Sequence, residues 1–161
     1  MNIIIKNRFL LYKGYKFKCC IGKSGKNKNK IEGDKSTPIG TFLLGKLYFR
    51  PDRINKINTK ISSKKIKKNM GWCNDPKNLK YNKEVNNKKI KKAENLFRRD
   101  YKYDAFIVIN YNTRPTIKNK GSAIFLHLTK NYKPTVGCVA IKKKDFLKLA
   151  GLINSKTKIK I

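Results

Sequence analysis

The apolar residues of this chain come in short runs, and Gly, Pro, Asn or Lys interrupts nearly every one. DAFIVIN (104–110) is a β-branched run too short for a helix and apolar enough for a central strand. AIFLHL (123–128) and GTFLLGKLYF (40–49) read the same way, KPTVGCVAI (133–141) as a turn into a strand, and TKIKI (157–161) as a last alternating strand. Residues 2–6 and 8–12 are apolar runs parted by Asn7, and Lys13-Gly14 turns the chain into a third run, Tyr15 to Ile21, forming an N-terminal meander. Such spacing predicts a mainly β fold, a sandwich or partly closed barrel with a few short helices on its edge. The strongest helical pattern is KKIKKAENLFRRD (88–100), where Ile90, Ala93, Leu96 and Phe97 share a face and Glu94 and Arg98 form an i,i+4 surface pair. KKDFLKLAGLI (143–153) reads as a second helix, and SSKKIKK (62–68), in a basic surface stretch, as a short helix or loop. Residues 22–36 are a polar loop, in which Glu32 and Asp34, with Thr37 beyond, shape the chain before Pro38; GWCNDP (71–76) is a structured turn.

At 161 residues the chain is one domain, 1–161, long enough to bury a core without a disulfide or metal staple. No stretch approaches the roughly 18 consecutive apolar residues of a membrane span. The N-terminal MNIIIKNRFLLYKGYKF is too broken by Lys, Asn and Arg for an export signal, so the expected location is cytoplasmic unless another route leads to the cell envelope. Basic residues number 41 against 9 acidic, a formal +32. Charge of that size suits an anionic partner such as nucleic acid or wall polymer. Lys, Asn and Ile are enriched together, however, and all three have A/T-rich codons, so compositional bias accounts for the charge without a dedicated surface. Neither a helix-turn-helix signature, an RNP-like aromatic motif nor a zinc finger is present, and no specific nucleic-acid partner is expected. The cysteines at 19, 20, 73 and 138 contain no C-x-x-C pair and there is one His, so neither a metal nor another cofactor is expected. Cys19 and Cys20, adjacent in a strand, should face opposite ways as small core residues. A monomer is expected.

The one imidazole, His127, lies in a strand, and a thiol, Cys138, follows eleven positions later, after a turn. Alternation puts Phe125 and His127 on one face of AIFLHL and Ile124, Leu126 and Leu128 on the other. A neighbouring imidazole raises the small thiolate fraction of a free cysteine, and backbone N–H groups at a Gly-Cys turn are natural oxyanion donors. The pair alone is equally compatible with a core His and an inert Cys.

The string GSAIFLHLTKNYKPTVGCVAI, preceded in order by GKSGKNKNKIEGDKSTPIGTF, YFRPDR, GWCNDPKNLKYN and AENLFRRDYKYDAFIVINYN, resembles the short-spaced, ErfK-like branch of the YkuD-type L,D-transpeptidases over roughly residues 20–150. The resemblance implies a cysteine acyltransferase on peptidoglycan stem peptides, with Cys138 as nucleophile, His127 as general base, Gly137 in the turn that supplies oxyanion donors together with the Cys138 amide, and Thr135 shaping that turn or touching substrate. It also implies a cleft lined by Trp72 and Asp75, for which a packed Trp and an Asp-Pro turn serve equally well. The Arg that follows the nucleophile by two residues in longer-motif relatives is Ala140 here, so substrate anchoring by that route is missing. A third group to orient His127 cannot be picked from sequence; a backbone carbonyl would serve. Hydrolysis by the same pair (an L,D-carboxypeptidase), a basic nucleic-acid-binding protein and an inert wall-binding module remain as alternatives.

Overall fold

The computed structural model describes all residues, 1–161. Alternating burial builds the N-terminal meander of β1 (Ile3–Lys6), β2 (Phe9–Tyr12) and β3 (Tyr15–Cys20), whose antiparallel pairs are turned by Asn7-Arg8 and Lys13-Gly14, all four at positive φ. Short β4 (Lys26–Asn27) and β5 (Thr37–Pro38) clip the following polar loop to itself. The nine-residue β6 (Thr41–Phe49) follows, then β7 (Ser63–Lys65), β8 (Met70–Cys73), β9 (Glu84–Asn86) and β10 (Ala93–Asn95). β11 (Ala105–Ile109) is buried along its whole length, as a central strand must be. β12 (Phe125–Leu128), β13 (Val139–Ile141), the helix α1 (Lys143–Leu152) and β14 (Lys158–Lys160) complete the chain.

Eight strands run β11-β12-β13-β3-β2-β1-β14-β6, and β6 pairs back onto β11, closing the sheet into a barrel with β7 appended to β6. The expected mainly β fold is therefore found, with the barrel fully closed. Its interior holds a core of 25 residues, among them Ile3, Leu10, Leu47, Ile107, Leu126, Val139 and Phe146 of α1. Residues alternating with these on β6, β11 and β12 point outward into a second core of 11, five of them aromatic, including Tyr48, Phe106, Phe125 and Cys138. A three-stranded sheet, β10-β8-β9, covers that outer face. Phe125 lies 4.5 Å, ring to ring, from Phe106 and meets Trp72 edge-on at 5.2 Å, so the outer layer is packed as firmly as an interior.

Three local expectations are corrected. Residues 88–100 form no helix. The backbone of Ala93–Asn95 pairs with β8, Leu96 donates to the Met70 carbonyl, and Glu94 turns inward, while Arg98 binds Asp100. Spacing there resembled a helical face, but a partner strand took the hydrogen bonds. SSKKIKK forms no helix: Ser63–Lys65 line up beside β6 as a three-residue strand, and the rest is loop with Ile66 buried. GWC of the expected turn is β8 itself, and the turn begins at Asp75. Of the helices expected, only α1 forms.

Candidate active site

Strand alternation delivers the site. β12 and β13 lie side by side and parallel, His127 opposite Ala140. Leu126 and Leu128 point into the barrel, while Phe125 and His127 point out, as their alternation predicted. Cys138, two residues before Ala140, faces outward with them and lies beside Phe125, whose amide is 3.3 Å from Sγ. Cys138 and His127 both line one cavity of about 490 Å³, together with Arg98, Tyr103, Thr135 and Ala140. Cys19 and Cys20 split across the same sheet, Cys19 into the barrel core and Cys20 against Ala140 outside.

Both reactive groups are buried. Burial, reinforced by the Glu94 carboxylate, pushes the Cys138 thiol up to about 12. Burial also drives His127 down to about 4, against the pull of its backbone bond to Leu128. Between those values the resting pair is a neutral thiol and a neutral imidazole. His127 Nδ1 is 2.9 Å from the Leu128 carbonyl. A carbonyl only accepts, so Nδ1 carries the proton and Nε2 keeps its lone pair, the tautomer a general base requires. The orienting group is thus a backbone carbonyl. The thiol donates to the Ala123 carbonyl at 3.2 Å and is held there before any attack.

The turn preceding Cys138 is rigidly specified. Thr135 Oγ1 donates to the Cys138 carbonyl at 2.6 Å and accepts from the Gly137 amide at 3.1 Å. Thr135 therefore shapes the turn, while its side chain also borders the cavity. Gly137 sits at φ 140, and a Cβ there would lie 2.9 Å from the Ser36 carbonyl, so two independent reasons demand glycine. One expectation shifts in consequence: the Gly137 N–H is already occupied, and the amides of this turn that have no partner within the chain are those of Val136 and Cys138.

Trp72 and Asp75 are not among the side chains lining either hollow that Cys138 borders. Trp72 packs behind the wall and donates to Asn82 Oδ1 at 2.9 Å, and Asp75 accepts from the Lys77 amide at the head of its turn. Sequence patterning missed Asn82. Its amide oxygen also accepts from the Ala123 N–H at 3.0 Å, pinning a residue at φ 53 whose carbonyl holds the thiol. Glu94, expected on the surface, receives the Tyr103 hydroxyl beside Cys138. Asp34 does shape its loop, accepting from the Ser36 and Ile31 amides, but the Glu32 side chain makes no bond within the loop and instead reaches across to Tyr81 and Ser122 at the edge of the site. A buried polar group contacting residues 40 to 90 positions away leaves no periodic trace in sequence.

No cluster of His, Cys, Asp and Glu able to hold a metal ion is present. The sequence model of YkuD, the L,D-transpeptidase catalytic domain, matches residues 4–161, essentially the whole chain. No curated protein and no solved structure matches it.

Proposed function

The chain belongs to the YkuD family of L,D-transpeptidase catalytic domains, which modify peptidoglycan, and on that premise we propose that Cys138 and His127 carry out acyl transfer on stem peptides. His127 Nε2 takes the thiol proton as Sγ attacks the carbonyl of the third, L-centred residue. The oxyanion forms against the Cys138 N–H. Collapse breaks the peptide bond, His127 returns the proton to the departing amine, and D-Ala leaves with a thioester on Cys138. An amine of a second stem then attacks the thioester carbonyl, its proton passes through His127 to the sulfur, and a 3→3 crosslink results. Neutral pairing in the resting state suits this sequence, because the proton moves only when a substrate is in place.

The observation that carries the reading is that adjacent strands bring the sole imidazole and Cys138 to the wall of one cavity, with a free amide at the nucleophile. Cys138 also borders a second hollow of about 230 Å³. Two hollows that both reach Cys138 suit transfer between two peptides. Ala140, in place of an Arg, leaves substrate anchoring to other residues, and Thr135, Trp72 and Asp75 enter this proposal only through the architecture they support. The cationic surface suits anionic wall polymer, and we place the work in the cell envelope, which mapping of the mature N-terminus and compartment will test. Incubation with a tetrapeptide stem should release D-Ala and yield a dimer, and a carbapenem should leave a mass adduct on Cys138. Both signals should vanish in Cys138→Ala. Free tripeptide without dimer would make the enzyme an L,D-carboxypeptidase, and no release at all would overturn the proposal.

A further inference from the structure

Lys30 is 4% exposed, rare for a residue whose charge ordinarily reaches water. Its ammonium meets Asp34 at 2.6 Å and makes no other hydrogen bond within the chain. An ammonium has three donors, so two are left over in a place where water is scarce. The surroundings hold that ammonium against the catalytic turn. Its nitrogen lies 3.5 Å from where a Cβ on Gly137 would stand, and Gly121, at φ +98, packs against its stem so closely that a Cβ would meet Cε at 2.8 Å. Asp34 is itself fixed by the Ser36 amide and hydroxyl and by the Ile31 amide.

Of the two hollows that Lys30 borders, one is the second one beside Cys138 and the other lies away from it, by Phe42 and Tyr111. The two carboxylates of the hollow beside Cys138 are already engaged, Glu32 by the hydroxyls of Tyr81 and Ser122 and Glu94 by that of Tyr103. What remains is cationic, Lys30 with Lys35, and of the two it is Lys30 that is buried, fixed by Asp34 and left with two unused donors beside the turn that leads to Cys138. From this geometry we infer that Lys30 anchors a carboxylate of the substrate next to the scissile bond. The inference rests on the acyl-transfer reading above. A one-residue leaving group places its terminal carboxylate within about 3.8 Å of the bond being cut. Lys30 would thereby select chains with one residue and a free carboxylate beyond the attack point, a role the missing Arg at Ala140 leaves open. The side-chain carboxylate of a diamino acid at the third position is the other source of the same chemistry.

Lys30→Met keeps the length and removes the charge; Lys30→Arg keeps the charge. With a tetrapeptide stem ending in a free acid, Lys30→Met should raise KM about tenfold or more while Lys30→Arg recovers part of the loss. A stem with a C-terminal amide should be handled equally by wild type and Lys30→Met, which makes the terminal carboxylate the ligand. If instead the discrimination follows amidation of the third residue's side-chain carboxylate, that carboxylate is the ligand and the inference stands. Equal losses on acid and on doubly amidated peptides would reduce Lys30 to a prop for the turn and overturn it. A readout independent of stem peptides separates this from failure of the proposed function: alkylation of Cys138, followed by peptide mass spectrometry, with anionic iodoacetate and neutral iodoacetamide. The iodoacetate-to-iodoacetamide rate ratio should fall several-fold in Lys30→Met, and an unchanged ratio would refute the anchor even if the enzyme turns over no peptide tried.

Discussion

A single sulfur and a single ring decide what this site can do, and both are kept neutral by the company they keep. Burial raises Cys138 and lowers His127, so the resting pair differs from the thiolate–imidazolium pair of many cysteine enzymes. Alkylation of Cys138 by iodoacetamide, which gets no proton-transfer help, should therefore climb about tenfold per pH unit from pH ~6 to ~10, with no plateau near the pKa of a free thiol at about 8.5. A flat profile would mean an ion pair at rest. Glu94→Gln should lift the rate throughout, because its carboxylate disfavours the thiolate. His127 also ties stability to acid. Its native value, about 4, lies below the unfolded value near 6.5, so the unfolded chain binds more protons between them. Stability should be full above about pH 6.5 and fall as pH drops toward 4, by on the order of 3 kcal/mol relative to His127→Gln. Denaturant melts of the two proteins at pH ~7 and ~4.5 test this, and parallel losses would sink it. His127 and Cys138 were legible from letters alone. Asn82, Lys30 and the Leu128 carbonyl were not, since burial of a polar side chain depends on what folds over it.

Among the elements, the β12–turn–β13 unit carries the site, and its parallel pairing is the least expected feature. Two short strands eleven positions apart suggested proximity, but not that the connection crosses over so that both side chains emerge on one face. Thr135 holds that connection from inside, by bonds to the Cys138 carbonyl and the Gly137 amide. Thr135→Val should leave both groups unpaired, cost about 1–3 kcal/mol of stability and slow carbapenem acylation of Cys138. Thr135→Ser should restore most of both, and thermal melts with intact-protein mass spectrometry will show whether it does. Residues 88–100 teach the opposite lesson. A convincing helical face at Ile90, Ala93, Leu96 and Phe97 yielded to a strand because β8 offered hydrogen bonds from 20 residues upstream. Small residues made that approach possible: a Cβ on Gly71 would already stand 3.1 Å from that of Ala93.

Across the whole molecule, 41 basic residues face 9 acidic ones, and five of those nine are spent in ion pairs with Lys or Arg. Two of the remaining four, Glu32 and Glu94, sit at the hollows beside Cys138. The rest of the surface repels itself, so the melting temperature should rise as salt goes from ~0.01 M to ~1 M and the Debye length shrinks from about 30 to 3 Å. A melting temperature that falls over this range would show that the surface ion pairs outweigh the repulsion. The β class, the barrel strands from β1 to β3 and β11 to β14, and the facing of His127 with Phe125 followed from the order of residues, because alternation and turn chemistry are properties of neighbours along the chain. Closure of the barrel through β6 and β11, the carbonyl that fixes the imidazole's tautomer, the clamp on Ala123 and the burial of Lys30 needed the folded molecule. Each is a meeting of segments far apart in sequence, and which segments meet is set by how the closed sheet and its covering strands divide the apolar surface between two cores.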